Sequence, residues 1–210
     1  MKSAIGILCG GKSRRMGQDK AFLKWKEGTM LDRMVREMSR DGREILISAS
    51  ADLAPVIMAQ SSARVIADEW FDHGPLEGIR CVMKEAQADT VFFCAVDMPF
   101  ISLEAAEYLE QKFQEPEYQA CDCLVLEDDE RIHPLCGIYR RSVVSVLERQ
   151  LKAQNYRVMT FLESMKWKAV HIGESGLNSR VLWNANTPED YERALRELKL
   201  QESDQQAFFM

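Results

Sequence analysis

The chain has 210 residues and a formal net charge of −6, a size that suits one compact domain. Hydrophobic residues make up 46% and charged residues 29%, which predicts a globular protein with a substantial core. The acidic balance argues against nucleic acid or an anionic membrane surface as a main partner. No apolar run approaches the ~20 residues that a membrane span needs, and the first residues do not resemble a signal peptide, so we expect a cytoplasmic protein.

Apolar runs and helical stripes alternate along the chain. The stretch Ala4–Cys9 is small and apolar throughout, as is typical of a strand buried on both faces. Thr29 is placed to cap a helix whose apolar stripe begins at Met30. Further predicted elements are strands at 44–47, 64–67, 90–96 and 121–126, helices at 76–86, 102–113 and 143–151, and a last helix with Thr187 as its N-cap and Pro188 as its first residue.

This alternation predicts an α/β fold with a doubly wound, mostly parallel sheet and helices on both faces. In such sheets, ligands bind beyond the carboxyl ends of the strands. Two of the predicted buried strands end in polar loops, one at Gly10-Gly11 and the other at Asp97. If these strands are neighbours, about 4.8 Å apart, the glycine pair and the aspartate share one crevice.

The first loop spells a known phosphate-binding pattern. Residues 6–13, GILCGGKS, satisfy G-x-x-x-x-G-K-[ST], the pattern of P-loop nucleotide hydrolases. However, Gly6 lies inside the apolar run rather than at its end, and Gly17 falls where the P-loop helix would begin. We therefore interpret the segment as a strand followed by a long loop from Gly10 to Lys20.

That loop has the composition of a phosphate-binding site of another kind. Gly10 and Gly11 carry no Cβ, so that a ligand can approach the backbone N–H groups closely. Cations cluster here in an otherwise acidic protein, and they suit the charge of a triphosphate. They are Lys12, Arg14, Arg15 and Lys20.

Two other features are interpreted as structural. The six cysteines include a Cys121-Asp122-Cys123 pair, but no histidine or second cysteine pair lies at zinc-like spacing, so free, unreactive thiols are expected. The acidic run at residues 127–130 is predicted to be a solvated loop.

The loop also resembles a known family. Residues 8–20, LCGGKSRRMGQDK, match L-x-G-G-x-S-x-R-M-G-x-D-K, the signature of the molybdenum cofactor guanylyltransferases, which are nucleotidyltransferases with a Rossmann-like fold. The resemblance extends in order to about residue 192, which implies a nucleotidyltransferase domain at 1–200 and a C-terminal tail at 201–210. The later matches are Asp68, GPLEG at 74–78, DMPF at 97–100, HPL at 133–135 and NANTPE at 184–189.

The resemblance implies transfer of GMP from GTP to molybdopterin, with release of pyrophosphate and with Mg²⁺ as cofactor. It implies catalytic roles for Arg15, Lys20 and Asp97, with Asp97 also the metal ligand. GTP would be bound by Leu8, Cys9, Gly10, Gly11, Lys20, Asp68 and Asp97, and the molybdopterin side would be formed by His133, Asn184 and Asn186. A monomer is expected, and cofactor-delivery proteins or molybdoenzyme chaperones are possible partners.

Several alternatives stay open. His133 could be a turn residue without a ligand, and the two asparagines could cap backbone before the last helix. The chain could be another nucleotidyltransferase, acting with a cytidine nucleotide or on a sugar phosphate, or a GTP-binding protein without catalytic activity. Two departures from the family pattern are Cys9, where alanine is more usual, and Ser48-Ala49-Ser50, where an asparagine is common.

Overall fold

A computed structural model of the protein describes residues 2–10, 19–70 and 73–208, with side chains as far as residue 200. The strands in these ranges are β1 (Ala4–Cys9), β2 (Lys24–Trp25), β3 (Gly28–Thr29), β4 (Ile45–Ala49), β5 (Arg64–Ala67), β6 (Thr90–Ala95), β7 (Cys123–Glu127), β8 (Ile132–Arg140) and β9 (Trp167–His171). The α-helices are α1 (Met30–Met38), α2 (Ala54–Met58), α3 (Pro75–Glu85), α4 (Leu103–Lys112), α5 (Val144–Lys152), α6 (Val158–Glu163) and α7 (Pro188–Phe208).

A central sheet organises the described part of the chain, with seven strands in the order β5-β4-β1-β6-β8-β7-β9. The first four are parallel, β8 is antiparallel to both of its neighbours, and β9 is parallel to β7. A separate small hairpin pairs β2 with β3. The chain crosses from β1 to β4 on one side and later returns from β5 to β6 on the other, so the point where the strand order reverses lies at β1. The predicted doubly wound, mostly parallel α/β fold is confirmed.

Each face of the sheet is covered by helices. Helices α1, α2 and α4 pack on one face, where residues such as Met34, Ile57 and Leu109 are buried. Helices α3, α5 and α6 pack on the other face. A smaller apolar cluster, which includes Trp25 and Ala194, joins the β2–β3 hairpin to α7. This third cluster holds the C-terminal part of the chain beside the sheet.

The structure resolves the question of the P-loop pattern. Gly6 lies in the middle of β1, paired with Leu46 on one side and Phe93 on the other. A Cβ at Gly6 would lie 2.5 Å from a ring carbon of Phe93 and 3.1 Å from Val82 of α3. Gly6 therefore lies within a strand rather than at the start of a phosphate loop, as predicted, and the absence of a Cβ lets α3 pack closely on the sheet.

Most predicted elements are confirmed within a few residues at each end. The Thr29 hydroxyl accepts a hydrogen bond from the Asp32 amide at 3.1 Å, and the Asp32 carboxylate accepts one from the Thr29 amide at 2.9 Å, which closes a capping box at the start of α1. The last helix begins at Pro188 as predicted and continues through residues 201–208. No helix in the described ranges is long and apolar enough to cross a membrane.

Three elements of the second half were not predicted: β8, α6 and β9. Strand β8 contains Pro134 and Gly137, both of which disfavour a strand assignment. The register of the β7–β8 pairing shifts between Val125 and Leu126. Val125 pairs with Gly137 but Leu126 pairs with His133, so residues 134–136 of β8 have no partner in β7. This irregularity accommodates the proline inside the sheet.

Candidate active site

Strands β1 and β6 are neighbours, and their carboxyl ends meet. Leu8 pairs with Ala95, and the Val96 amide donates a hydrogen bond to the Leu8 carbonyl at 3.0 Å. Gly10 and Asp97 therefore enter the same crevice, as the sequence predicted. The crevice is a cavity of about 250 Å³, and its lining includes Leu8, Cys9, Gly10, Lys20, Asp97 and Asn186.

A lysine ammonium connects three separate segments in this cavity. Lys20, at the start of a 3₁₀ turn that buries Ala21, extends its Nζ to Asp97 Oδ2 at 2.8 Å and to Asn186 Oδ1 at 2.7 Å. The Ala185 amide donates to the backbone carbonyl of Asp97 at 2.7 Å, which fixes the C-terminal segment beside the end of β6. Residues 20, 97 and 186 are thus brought together from distant parts of the sequence.

The second carboxylate oxygen of Asp97 has a different environment. Asp97 Oδ1 is buried and has no hydrogen-bond partner among the described residues. A buried acceptor without a partner is costly, and a carboxylate oxygen beside a phosphate site is a suitable ligand for a hard cation. Within the described ranges, no group of three or more histidine, cysteine, aspartate or glutamate side chains forms a metal site. A cation at Asp97 would therefore need further ligands from a bound substrate.

Asp68 does not line this cavity but is connected to its wall through Ser48. It follows β5, and its Oδ1 accepts a hydrogen bond from the Ser48 hydroxyl at 2.7 Å, while Ser48 is the partner of Leu8 in the β1–β4 ladder. Burial raises the pKa of the Asp68 carboxyl, and the Ser48 hydrogen bond opposes that effect. The Ser48 hydroxyl therefore holds the Asp68 carboxylate.

A second cavity, of about 160 Å³, adjoins the first at Asn186, which lines both. His133 and Asn184 also line it. His133 lies within β8, so its interpretation as a turn residue is wrong; its Nε2 pairs with Asp128 Oδ2 at 2.9 Å. The Asn184 side chain donates to the Leu182 carbonyl at 3.0 Å, as the capping alternative anticipated, although it also faces the cavity.

Two predicted site residues fall outside the described ranges, Gly11 and Arg15, as do Lys12 and Arg14 of the predicted cation cluster. Their proposed contacts with phosphate stay predictions from the sequence.

The structure adds residues that the sequence analysis did not select. Asp19 and Leu53 line the first cavity, and Arg131 lines the second. Asp19 belongs to the signature at residues 8–20, so its position there was a usable signal. Arg131 directly follows the acidic run at 127–130, and the composition of that run did not indicate that Arg131 would line a cavity. The run itself forms the β7–β8 turn, in which Asp128 Oδ1 accepts the Glu130 and Arg131 amides.

All six cysteines are free and buried, as expected for structural thiols, and their low reactivity stays a prediction. Burial raises the pKa of Cys94 to about 12 and that of the Cys9 thiol further still. Cys9 therefore contributes an apolar wall to the cavity.

The fold and the crevice define a class of protein. A doubly wound sheet with a crevice at its switch point is typical of α/β proteins that bind nucleotides. Residues 5–169 match the family model described as MobA-like NTP transferase domain. The chain therefore belongs to this family of nucleotidyltransferases.

Individual relatives cover nearly the whole chain. It is 32% identical over 194 residues to the "Molybdenum cofactor guanylyltransferase" of Syntrophotalea carbinolica, covering 91% of this chain and 90% of that protein. It is 30% identical over 201 residues to the "Probable molybdenum cofactor guanylyltransferase" of Carboxydothermus hydrogenoformans, covering 94% and 98%.

A solved structure shares the fold. It is the molybdopterin-guanine dinucleotide biosynthesis protein A of Archaeoglobus fulgidus, with a TM-score of 0.80, 23% identity, and coverage of 93% of this chain and 98% of that chain.

Proposed function

We propose that the protein transfers GMP from GTP to molybdopterin, forming molybdopterin guanine dinucleotide and releasing pyrophosphate. The names of the relatives support this assignment. The single structural observation that carries it is the Lys20–Asp97 pair, which lies at the junction of β1 and β6 in a cavity that shares Asn186 with a second cavity. Two adjoining cavities suit a reaction between two bound substrates.

GTP would occupy the first cavity. Lys20, together with Arg15 from the preceding loop, would neutralise the triphosphate, and Leu8, Cys9, Gly10 and Gly11 would form the floor beneath it. Asp68 would contact the nucleoside, which would extend out of this cavity past Leu8 toward Ser48 and Asp68. The attacking phosphate of molybdopterin is a nucleophile at neutral pH, so the reaction needs no strong general base. The protein has to hold two anions in line and to stabilise the charge of the leaving pyrophosphate.

We propose Asp97 as the ligand of Mg²⁺. The buried Oδ1 without a partner supports this role, because Mg²⁺ in nucleotide sites commonly takes one or two carboxylates and completes its shell with phosphate oxygens and water. When bound, the ion would supply positive charge beside the reacting phosphate. Lys20 would hold the other oxygen of Asp97 and so fix the orientation of the carboxylate.

Molybdopterin would occupy the second cavity, between His133 of β8 and the segment that carries Asn184 and Asn186. Arg131 on the same wall would offset the negative charge of the acceptor phosphate. Asn186 would lie between the two substrates, where its amide contacts Lys20.

The test is product formation from purified components. The protein is mixed with molybdopterin, Mg²⁺ and GTP, CTP or ATP, and the products are separated by chromatography. We expect a guanine dinucleotide and pyrophosphate with GTP alone. Turnover that prefers CTP would support the cytidylyl alternative, and GTP binding without turnover on any phosphate acceptor would support a non-catalytic protein.

We also propose that the chain is a cytoplasmic monomer in which residues 1–200 form the nucleotidyltransferase domain and residues 201–210 a tail. Cofactor-delivery proteins or molybdoenzyme chaperones would take up its product. Sedimentation equilibrium tests the oligomeric state, and truncation after residue 200 with unchanged turnover would support the domain boundary.

A further inference from the structure

A buried ion pair lies at the start of α3, beside the segment that follows β5. Glu77 and Arg80 are each only 1% exposed. Arg80 donates to both oxygens of Glu77, from Nε to Oε2 at 2.8 Å and from a terminal nitrogen to Oε1 at 2.7 Å. Neither residue lines either cavity of the candidate active site, although burying two charges is costly and rarely stabilises a fold by itself.

The pair holds backbone as well as side chains. Glu77 Oε1 accepts hydrogen bonds from the amides of Glu69 and Trp70, both at 3.0 Å. Arg80 also donates to the carboxylate of Glu69 at 2.7 Å, and its guanidinium lies 4.4 Å from the centre of a Trp70 ring. The two residues that follow Asp68 are therefore fixed by α3.

Asp68 is restrained from its other side by β4. Its amide donates to the Ala49 carbonyl at 2.8 Å, and its carboxylate accepts the Ser48 hydroxyl. Gly78 of α3 adjoins the same hydroxyl, since a Cβ there would lie 2.5 Å from Ser48 Oγ and 3.1 Å from Leu8. Helix α3 thus contacts both the partner of Asp68 and the wall of the nucleotide cavity.

We propose that the Glu77–Arg80 pair positions Asp68 for binding of the nucleoside half of GTP. This inference rests on the proposed function, and both members of the pair are positioning residues that act through Asp68. The pair is neutral as a whole, so it orders the segment without adding a net charge beside the Asp68 carboxylate. A charged acceptor makes stronger hydrogen bonds to the two amides than a neutral one would, which explains why a carboxylate is used.

The experiment compares two carboxylates that each accept a backbone amide and pair with a buried arginine. Glu77→Gln weakens the bonds to the Glu69 and Trp70 amides. Glu110→Gln is the control, because Glu110 likewise accepts a backbone amide, from Ser3 at 2.7 Å, and pairs with the buried Arg43 at 2.7 Å. Ser3 precedes β1, so this control lies at the opposite end of the sheet from the crevice. Stability is measured by urea unfolding and Mg-GTP affinity by titration calorimetry.

We expect E77Q to weaken Mg-GTP binding by about tenfold, the size of one charge-assisted hydrogen bond, and E110Q to leave it within about twofold at a comparable loss of stability. Equal affinities in the two variants would overturn the proposal. If E77Q does not fold, the double variant E77L/R80M removes both charges at similar volume, a change that folded cores often tolerate. That variant is expected to fold and to lose at least as much affinity, and wild-type affinity in it would also overturn the proposal.

A double-mutant cycle with Asp68→Ala separates positioning from general damage. If Glu77 acts through Asp68, its substitution has little further effect on Mg-GTP affinity once Asp68 is removed. Additive losses would overturn the proposal. A wild-type protein that binds no GTP would refute the proposed function instead. A protein that binds GTP but transfers its GMP to another acceptor, with release of pyrophosphate, would leave this cycle fully interpretable.

Discussion

Among individual residues, Asp97 is unusual because its two carboxylate oxygens have different environments. Its Oδ2 pairs with Lys20 while the buried Oδ1 has no partner in the described structure. Folding therefore leaves one oxygen of this carboxylate available to a bound cation, at the expense of stability.

Substitution of Asp97 is expected to separate activity from folding. Asp97→Ala should lower kcat by roughly two to four decades, the loss seen when a preorganised electrostatic group is removed. Asp97→Asn should lose most of this activity too, because the amide keeps the shape but not the charge. Steady-state pyrophosphate release measures the effect, and urea unfolding controls for stability. Near wild-type turnover in a folded variant would contradict the role of Asp97.

Lys20 gives the second prediction at this scale. Lys20→Met keeps the aliphatic stem and removes the ammonium that meets Asp97 and Asn186. We expect kcat/KM for GTP to fall roughly 10- to 150-fold, as for the loss of a hydrogen-bonded charge. Lys24→Met, on the exposed side of the β2–β3 hairpin, serves as the matched control and should change kcat/KM little. Equal effects in the two variants would mean that Lys20 acts only through overall charge.

The sequence predicted these two residues because each follows a buried strand directly or through a glycine-rich loop. It could not show that Asn186 bonds to Lys20, since 166 residues separate them and tertiary contacts, among them the third apolar cluster and the Ala185–Asp97 backbone bond, bring the C-terminal segment back. Arg131 was missed for a similar reason, because the direction of a hairpin turn depends on the register of its strands.

Among the elements, the close packing of α3 on the sheet depends on Gly6. A Cβ at this position would meet the Phe93 ring at 2.5 Å, whereas one at Gly10 would meet nothing within 4 Å. We expect Gly6→Ala to lower the free energy of unfolding by about 1–3 kcal/mol, the usual cost of overpacking a core. Gly10→Ala should leave stability unchanged. Urea unfolding compares the two, and equal stability would show that Phe93 moves aside without cost.

Strands and helices could be predicted best where a short stretch of sequence carried a strong pattern. Continuous apolar runs located β1 and β6, and Thr29 and Pro188 marked the beginnings of α1 and α7. Prediction failed at β8, where a proline and a glycine interrupt the pattern and pairing with both β6 and β7 maintains the strand. Such non-local stabilisation leaves no periodic trace in the sequence.

In the molecule as a whole, all six thiols are placed in the two cores that cover the sheet or beside them. Burial raises the pKa of Cys81 and Cys94 to about 12, so little thiolate exists at neutral pH. We expect the native protein to react with a thiol reagent at least tenfold more slowly than a free cysteine and all six groups to react at once in denaturant. A rapidly labelled native cysteine, counted by absorbance, would show that one core opens.

An ion pair near the amino end of the sheet, between Asp41 and Arg43, is expected to make the free energy of unfolding vary with pH in the acidic range. The hydrogen bond from Arg43 holds the pKa of Asp41 well below its usual range. Since the unfolded carboxyl has a pKa of about 3.9, the pair contributes its full stability above about pH 4 and loses it as the pH falls further toward the lower folded pKa. Asp41→Asn should flatten the decline of stability below pH 4, while Asp52→Asn, at an exposed position, should not. Urea midpoints between pH 2.5 and 7 test this difference.

The reversed direction of β8 has a consequence for how this enzyme could diversify. Because that strand runs opposite to its neighbours, it begins rather than ends at the edge of the sheet that carries Asp97, and Arg131 of the hairpin leading into it lines the second cavity together with His133. Residues could be inserted in that hairpin without shifting the parallel strands that carry Gly10 and Asp97. The range of molecules that the cavity beside His133 admits can thus evolve independently of the phosphate chemistry at Gly10 and Asp97.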